Sequence, residues 1–243
     1  MSLSPRSPQS TDLPSCTVLT VANAFLFKKE PVPELMAAWY TLGALRCVLG
    51  IHEAGVLHCD VKSDNFVLTP GSVLEGETGE HDGALVKLID FGRSIDLRAV
   101  EAGGTIVGLF GDDAAAEDMD PPAMTEGRPW KEDLDTYGVL SVAHVLLWGS
   151  HLSCGKDVKG RWRQDKTLRR YWNKDLWSDL FDTLLNSQGE EGEDADDECV
   201  NVGFGSGADD LRRLIGRFEQ EVEGKENEIA AMLRRQNNLV SGR

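Results

Sequence analysis

His58-Cys59-Asp60-Val61-Lys62-Ser63-Asp64-Asn65, answered by Leu88-Ile89-Asp90-Phe91-Gly92, is the stretch on which the fold of this chain turns. Asp60 and Asn65 stand five apart in a loop, so their side chains can face different ways with the Lys62 cation between them. Asp90 follows an apolar strand, Val86-Lys87-Leu88-Ile89, and Gly92 then lets the chain turn. Phe66-Val67-Leu68 reads as a short strand, with Leu85 to Ile89 as its partner. Upstream, Pro33-Glu34 opens a helix with an acidic residue at the positive end of its dipole. Leu35, Ala38, Trp39, Leu42, Leu45 and Leu49 repeat at helical spacing to about His52, and Glu53-Ala54-Gly55 ends the helix just before the loop.

The two segments match the metal-and-phosphate loops of protein kinases, H-R-D-x-K-x-x-N followed by D-F-G, with Cys59 in place of the Arg. That resemblance implies a site in which Asp60 orients a hydroxyl and accepts its proton, a role worth about a hundredfold to ten-thousandfold. Lys62 would neutralise a transferring phosphoryl group, and Asn65 and Asp90 would offer hard oxygens to Mg²⁺ beside ATP. Phosphoryl transfer passes through a loose transition state, so positioning and charge stabilisation are most of what such residues supply. His52 and His58 read as packing histidines rather than metal ligands, because no third ligand is spaced to join them.

At 243 residues and 41% apolar content the chain can hold a proper core. A formal charge of −16 and a pI near 4.7 disfavour non-specific binding to nucleic acid or an anionic membrane. Cys16, Cys47, Cys59, Cys154 and Cys199 lack C-x-x-C spacing and are odd in number, which points to a reducing compartment. The N-terminus has no apolar core of the signal-peptide kind, and the apolar run Gly138 to Gly149 is too short to span a bilayer. The expectation is a soluble, intracellular protein.

Residues 1–14, rich in Ser and Pro, read as disordered, and 15–243 as one domain. Thr17 to Val21 reads as a buried strand, with Ala24-Phe25-Leu26-Phe27 extending it or beginning a connection. Thr69 to Gly83 reads as a surface insertion, and Arg93 to Trp130 as an irregular segment. Gly103 to Gly108 fails as a phosphate loop, since Leu109-Phe110 stand where Lys and Ser or Thr are required. Asp133 to Leu147 is apolar on nearly all faces, which marks a helix buried all round. Asp135 would be buried with it and must find donors, expected from the backbone of the 58–65 loop. A basic, loop-rich stretch runs to Arg170, an amphipathic helix covers Asn173 to Leu185, and 189–207 reads as a solvated acidic loop. A long helix from Ala208 to about Val240 closes the chain, with a break at Gly224.

Leu88 to Leu97, Gly104-Thr105-Ile106, Arg128 to Val139, Asp175 to Phe181 and the Leu211-Arg212-Arg213 helix together resemble the mitotic spindle-checkpoint kinases of the BUB family. The likeness covers roughly Leu35 to the C-terminus. It implies an α+β, protein kinase-like fold with a mostly α-helical C-lobe and short β-hairpins. The implied function is a Ser/Thr protein kinase of the spindle checkpoint, using ATP and Mg²⁺ in the nucleus, at kinetochores and also in the cytoplasm, on protein substrates that include a histone tail. Checkpoint and kinetochore proteins would be its partners. In that resemblance Arg93 to Trp130 is an activation segment, and Ala123 falls where a Glu of the A-P-E region commonly sits. The upper lobe of a kinase needs roughly 60 residues by ordinary element lengths, and 18 residues precede Leu19. With no G-x-G-x-x-G or V-A-I-K-like lysine before the 58–65 loop, the expectation is a lower lobe with at most a remnant of the upper one. A catalytically inactive kinase-like scaffold at the kinetochore is the alternative.

Overall fold

The structure is a computed structural model that describes residues 16–68, 86–99, 121–126, 131–186 and 206–241. The readings of 1–14, of Thr69 to Gly83, of Gly103 to Gly108, of much of Arg93 to Trp130 and of nearly all of 189–207 lie outside the described residues.

Thr17 to Val21 departs from the expectation of a strand, and Ala24 to Phe27 neither extends one nor begins a connection. Val18–Phe27 is a helix, α1, and extended chain is confined to Cys16 and Thr17, where Thr17 bridges Val67 and Leu68 N–H donates to Cys16 O at 2.8 Å. The β-branched run favours a strand locally, but a capping box overrides it. Thr17 Oγ1 accepts the Thr20 N–H and Thr20 Oγ1 accepts the Thr17 N–H. Val18, Val21, Ala22 and Phe25 then fall on one buried face, a spacing that only a helix provides.

Helix α2, Glu34–Glu53, is the spine of the lobe, packed against α4 (Asp133–Trp148) and α6 (Ser206–Val222). Its buried face is wider than the leucine stripe suggests and is centred on Met36, Tyr40, Ala44 and Val48, while Leu35, Trp39 and Leu49 are only partly covered. By length and composition α2 is apolar enough to cross a bilayer, yet 61% of its apolar window is buried inside the structure, as befits a core helix. Glu34 fixes its start by accepting the Asn173 N–H at 2.6 Å and the Trp177 indole N–H at 2.9 Å. That carboxylate thereby joins α2 to α5, Lys174–Leu185.

α4 is buried on every face, as its composition implies. It approaches the 58–65 loop closely through Gly138, where a Cβ would stand 2.3 Å from Val61 O and 2.5 Å from Val61 Cβ. Gly138→Ala is therefore expected to destabilise the protein by about 1–3 kcal/mol through overpacking. A urea midpoint unchanged from the parent would show that the helix and loop can separate freely.

Short strands complete the lobe as three two-stranded antiparallel sheets among the described residues. β1 (Val56–Leu57) pairs with β4 (Ile95–Asp96), and β2 (Phe66–Leu68) with β3 (Val86–Leu88), Phe66 opposite Leu88. The third is unforeseen in the stretch read as loop: β5 (Cys154–Lys156) and β6 (Trp162–Gln164) form a hairpin. Its turn is set by Asp157, whose Oδ1 accepts the Lys159 and Arg161 N–H groups, and by Gly160 at φ +78°. The short helix α3 is Pro122–Thr125. The closing helix is broken at Gly224, φ +73°, into α6 and α7, Glu226–Val240. Trp177 and Phe218 meet edge to face at 5.3 Å between α5 and α6.

Candidate active site

β1 delivers the chain from the end of α2 into the 58–65 loop, and buried Asp135 on α4 holds that loop. Its Oδ2 accepts the His58 backbone N–H at 2.7 Å and its Oδ1 that of Cys59 at 2.8 Å. His52 Nε2 lies 2.9 Å from the same carboxylate. The donors are those expected of the loop backbone, with His52 added. Cys59 has φ +62°, a conformation that costs a non-glycine residue free energy and persists where the surroundings enforce it. The two bonds to Asp135 are that enforcement.

His58 is wholly buried and links the two key segments. Its Nδ1 accepts the Asp60 N–H at 3.3 Å, so the ring proton belongs on Nε2, which donates to Ile89 O at 2.9 Å. The imidazole also meets Phe91 edge to face at 4.8 Å. Sequence reading assigned Phe91 no role; its signal was its place beside Asp90.

Three of the four site residues are joined directly. Lys62 Nζ donates to both oxygens of Asp60, at 3.0 and 2.8 Å, and Asn65 Nδ2 donates to Asp60 O at 2.8 Å and Oδ2 at 3.0 Å. Because Asn65 donates through its nitrogen, its amide oxygen is left to act as an acceptor. Asp90 reaches this group through the backbone, since Ile89 N–H donates to Asn65 O at 2.9 Å. Its own carboxylate is exposed, and among the described residues it accepts the Gly92 N–H at 3.4 Å. Asp90 sits at φ +65°, a second strained position. Arg93, unnoticed in the sequence, brings Nη1 to 4.0 Å from Asp60 Oδ1. A carboxylate contacted by one amide and two cations can orient a hydroxyl and tolerate incoming phosphate charge.

Cys59 points away from this chemistry. It is 4% exposed in a cluster with Leu57 and Met124, against which Ile95, Leu97 and Leu134 pack. Burial, reinforced by Asp135 and opposed by Arg93, pushes its thiol up to about 12. A neutral apolar thiol joins the loop to α3 where the matching kinase motif carries an Arg, so it has no charge to offer a phosphate. The hydroxyls of Ser94 and Thr125 are already bonded to His58 O and Pro121 O. Replacing Ser94, Thr105 and Thr125 together by Ala, in the chain joined to a complete kinase upper lobe, is expected to leave basal phosphorylation within about twofold. Collapse of activity without loss of folding would show that phosphorylation is the switch.

No protein-family model matches the chain. It is 34% identical over 164 residues to the spindle assembly checkpoint serine/threonine-protein kinase BUB1 of Saccharomyces cerevisiae, covering 63% of this chain and 16% of that protein. The Schizosaccharomyces pombe bub1 kinase is 30% identical over 188 residues, 71% of this chain and 18% of that protein. The mitotic checkpoint kinase BUB1 of Arabidopsis thaliana is 30% identical over 182 residues, 71% and 34%. The chain thus spans between 16% and 34% of the length of these relatives. In fold it matches the crystal structure of the BubR1 kinase domain with a TM-score of 0.72 and 25% identity, over 92% of this chain and 60% of that one. The described residues form a mostly helical protein kinase-like C-lobe that resembles the mitotic spindle-checkpoint Ser/Thr kinases of the BUB family.

Proposed function

We propose that the chain carries the phosphoryl-transfer centre of a spindle-checkpoint Ser/Thr protein kinase. It would act with ATP and Mg²⁺ on protein hydroxyls, a histone tail among them, in the nucleus and at kinetochores in company with other checkpoint proteins. The observation that carries this reading is the convergence of Lys62 and Asn65 on the Asp60 carboxylate, one backbone hydrogen bond away from the strand that ends at Asp90. Asp60 orients the substrate hydroxyl and accepts its proton, and Lys62 answers the charge spread over the transferring group. The amide oxygen of Asn65 and the exposed carboxylate of Asp90 suit Mg²⁺, which takes few protein ligands and keeps waters. When bound, that ion neutralises phosphate oxygens.

Phe91 favours a second reading, a kinase-like scaffold. Its ring is 48% exposed and Ile89 is 42% exposed, an apolar surface beside the loop on which a partner protein could rest. The two readings separate in one experiment on residues 1–243 with Mg·ATP and histone, run alone and joined to a complete kinase upper lobe. Alone, weak or no turnover is expected, because a grip on the nucleotide phosphates contributes alignment worth about 7–11 kcal/mol. Joined, turnover abolished by Asp90→Asn is expected. A joined form that neither binds Mg·ATP nor phosphorylates histone leaves the scaffold.

A further inference from the structure

Charge is distributed unevenly in this protein. The whole chain has 25 basic and 41 acidic residues, yet between Lys156 and Lys174 stand eight basic residues and two acidic ones, Asp157 and Asp165. Two of these cations serve the fold. Lys156 pairs with Glu126 at the end of α3, and Arg163 pairs with Asp157 and Asp182. Among the described residues Lys159, Arg161, Lys166 and Arg170 are exposed and form no ion pair. Arg169 donates to the Tyr171 hydroxyl at 2.7 Å and lies 5.2 Å from the Trp172 ring centre, and Tyr171 is 70% exposed. Elsewhere the described arginines, Arg234 apart, each stand within ion-pair distance of a carboxylate. With acidic residues in excess, unpaired arginines gathered in one stretch are a departure from the rest of the surface.

We propose that the β5–β6 hairpin and the loop that follows it are a docking surface for an acidic, Asp/Glu-rich segment of a partner protein. The inference does not depend on the chain's catalytic competence. The hairpin is held rigidly: Asn186 accepts the Trp162 N–H at 2.9 Å and donates to Trp162 O at 3.1 Å, while Arg163 grips Asp182 on α5. Cations on a fixed backbone lose less freedom on binding. Arginine forks match carboxylates two bonds at a time, and the exposed Tyr171 ring offers an apolar platform among them. A nucleic acid is a poorer fit. Its phosphates extend well beyond the Debye length of about 8 Å at physiological salt, so they would meet the acidic remainder of the surface, including Asp175 on the neighbouring helix. A short acidic segment engages the basic stretch and little else.

The test uses residues 1–243 and a short fluorescein-labelled Glu/Asp peptide, read by anisotropy. Binding is expected at low salt, falling steeply between about 50 and 200 mM. The triple variant Arg161→Glu, Lys166→Glu, Arg170→Glu should bind at least about tenfold more weakly while melting like the parent, since these side chains make no described bonds. Lys28→Glu, Lys87→Glu, Arg234→Glu imposes the same change of net charge elsewhere and should bind as the parent does. Three results would each overturn the proposal: no peptide binding at low salt, equal weakening by the two triple variants, or a DNA duplex held more tightly than the peptide.

Discussion

Asp135→Ala is expected to lower the stability of the protein by about 3–5 kcal/mol, because it takes the acceptor from several buried donors at once. The wholly buried carboxylate accepts the N–H groups of His58 and Cys59 and contacts His52. Alanine would leave those donors dry and unpaired, at about 1–3 kcal/mol each. It would also release the left-handed backbone at Cys59, so the damage falls on the loop that presents Asp60. Asp135→Asn keeps one carbonyl oxygen and should cost less than the alanine. Urea denaturation gives the magnitude, and amide exchange at His58 and Cys59 gives the location. A loss below about 1 kcal/mol, or unchanged protection of those two amides, would falsify the anchoring role.

Asp60→Asn, in the chain joined to a complete upper lobe, is expected to lower kcat by about a hundredfold to ten-thousandfold, some 3–5 kcal/mol of barrier. An amide retains the shape that Lys62 and Asn65 surround but cannot accept the substrate proton. Stability should change far less than activity, by about 1–2 kcal/mol, because one acceptor oxygen remains for the bonds now made to the carboxylate. Steady-state phosphorylation beside a melting curve separates the two effects. Equal kcat for variant and parent would remove Asp60 from the chemistry and leave it a brace for Lys62.

What the sequence by itself determined was whatever is written in local spacing. The 58–65 loop and the Asp90 segment could be placed because their residue types recur at fixed separations. The pairing of Phe66–Leu68 with Val86–Leu88 followed from two short apolar runs flanking them. The buried character of α4 was legible from apolar residues on every face, and with it the need of Asp135 for donors; the break at Gly224 was legible from the one residue that turns there without strain. Only the tertiary structure decided the rest, because it depends on partners distant in the chain. A β-branched run became helix α1 because Val18, Val21 and Phe25 found places in the core formed by distant helices, which outweighed strand propensity. A stretch read as loop closed into the β5–β6 hairpin, with Asn186 on the far side of α5 holding it. Cys59 looked like a missing charge and became an apolar contact with Met124, a residue 65 positions away in the chain. Gly138, one glycine among 25, proved to be the point where α4 touches the backbone of Val61. Periodicity reports which face of an element is apolar, but it carries no information about which distant atom that face will meet.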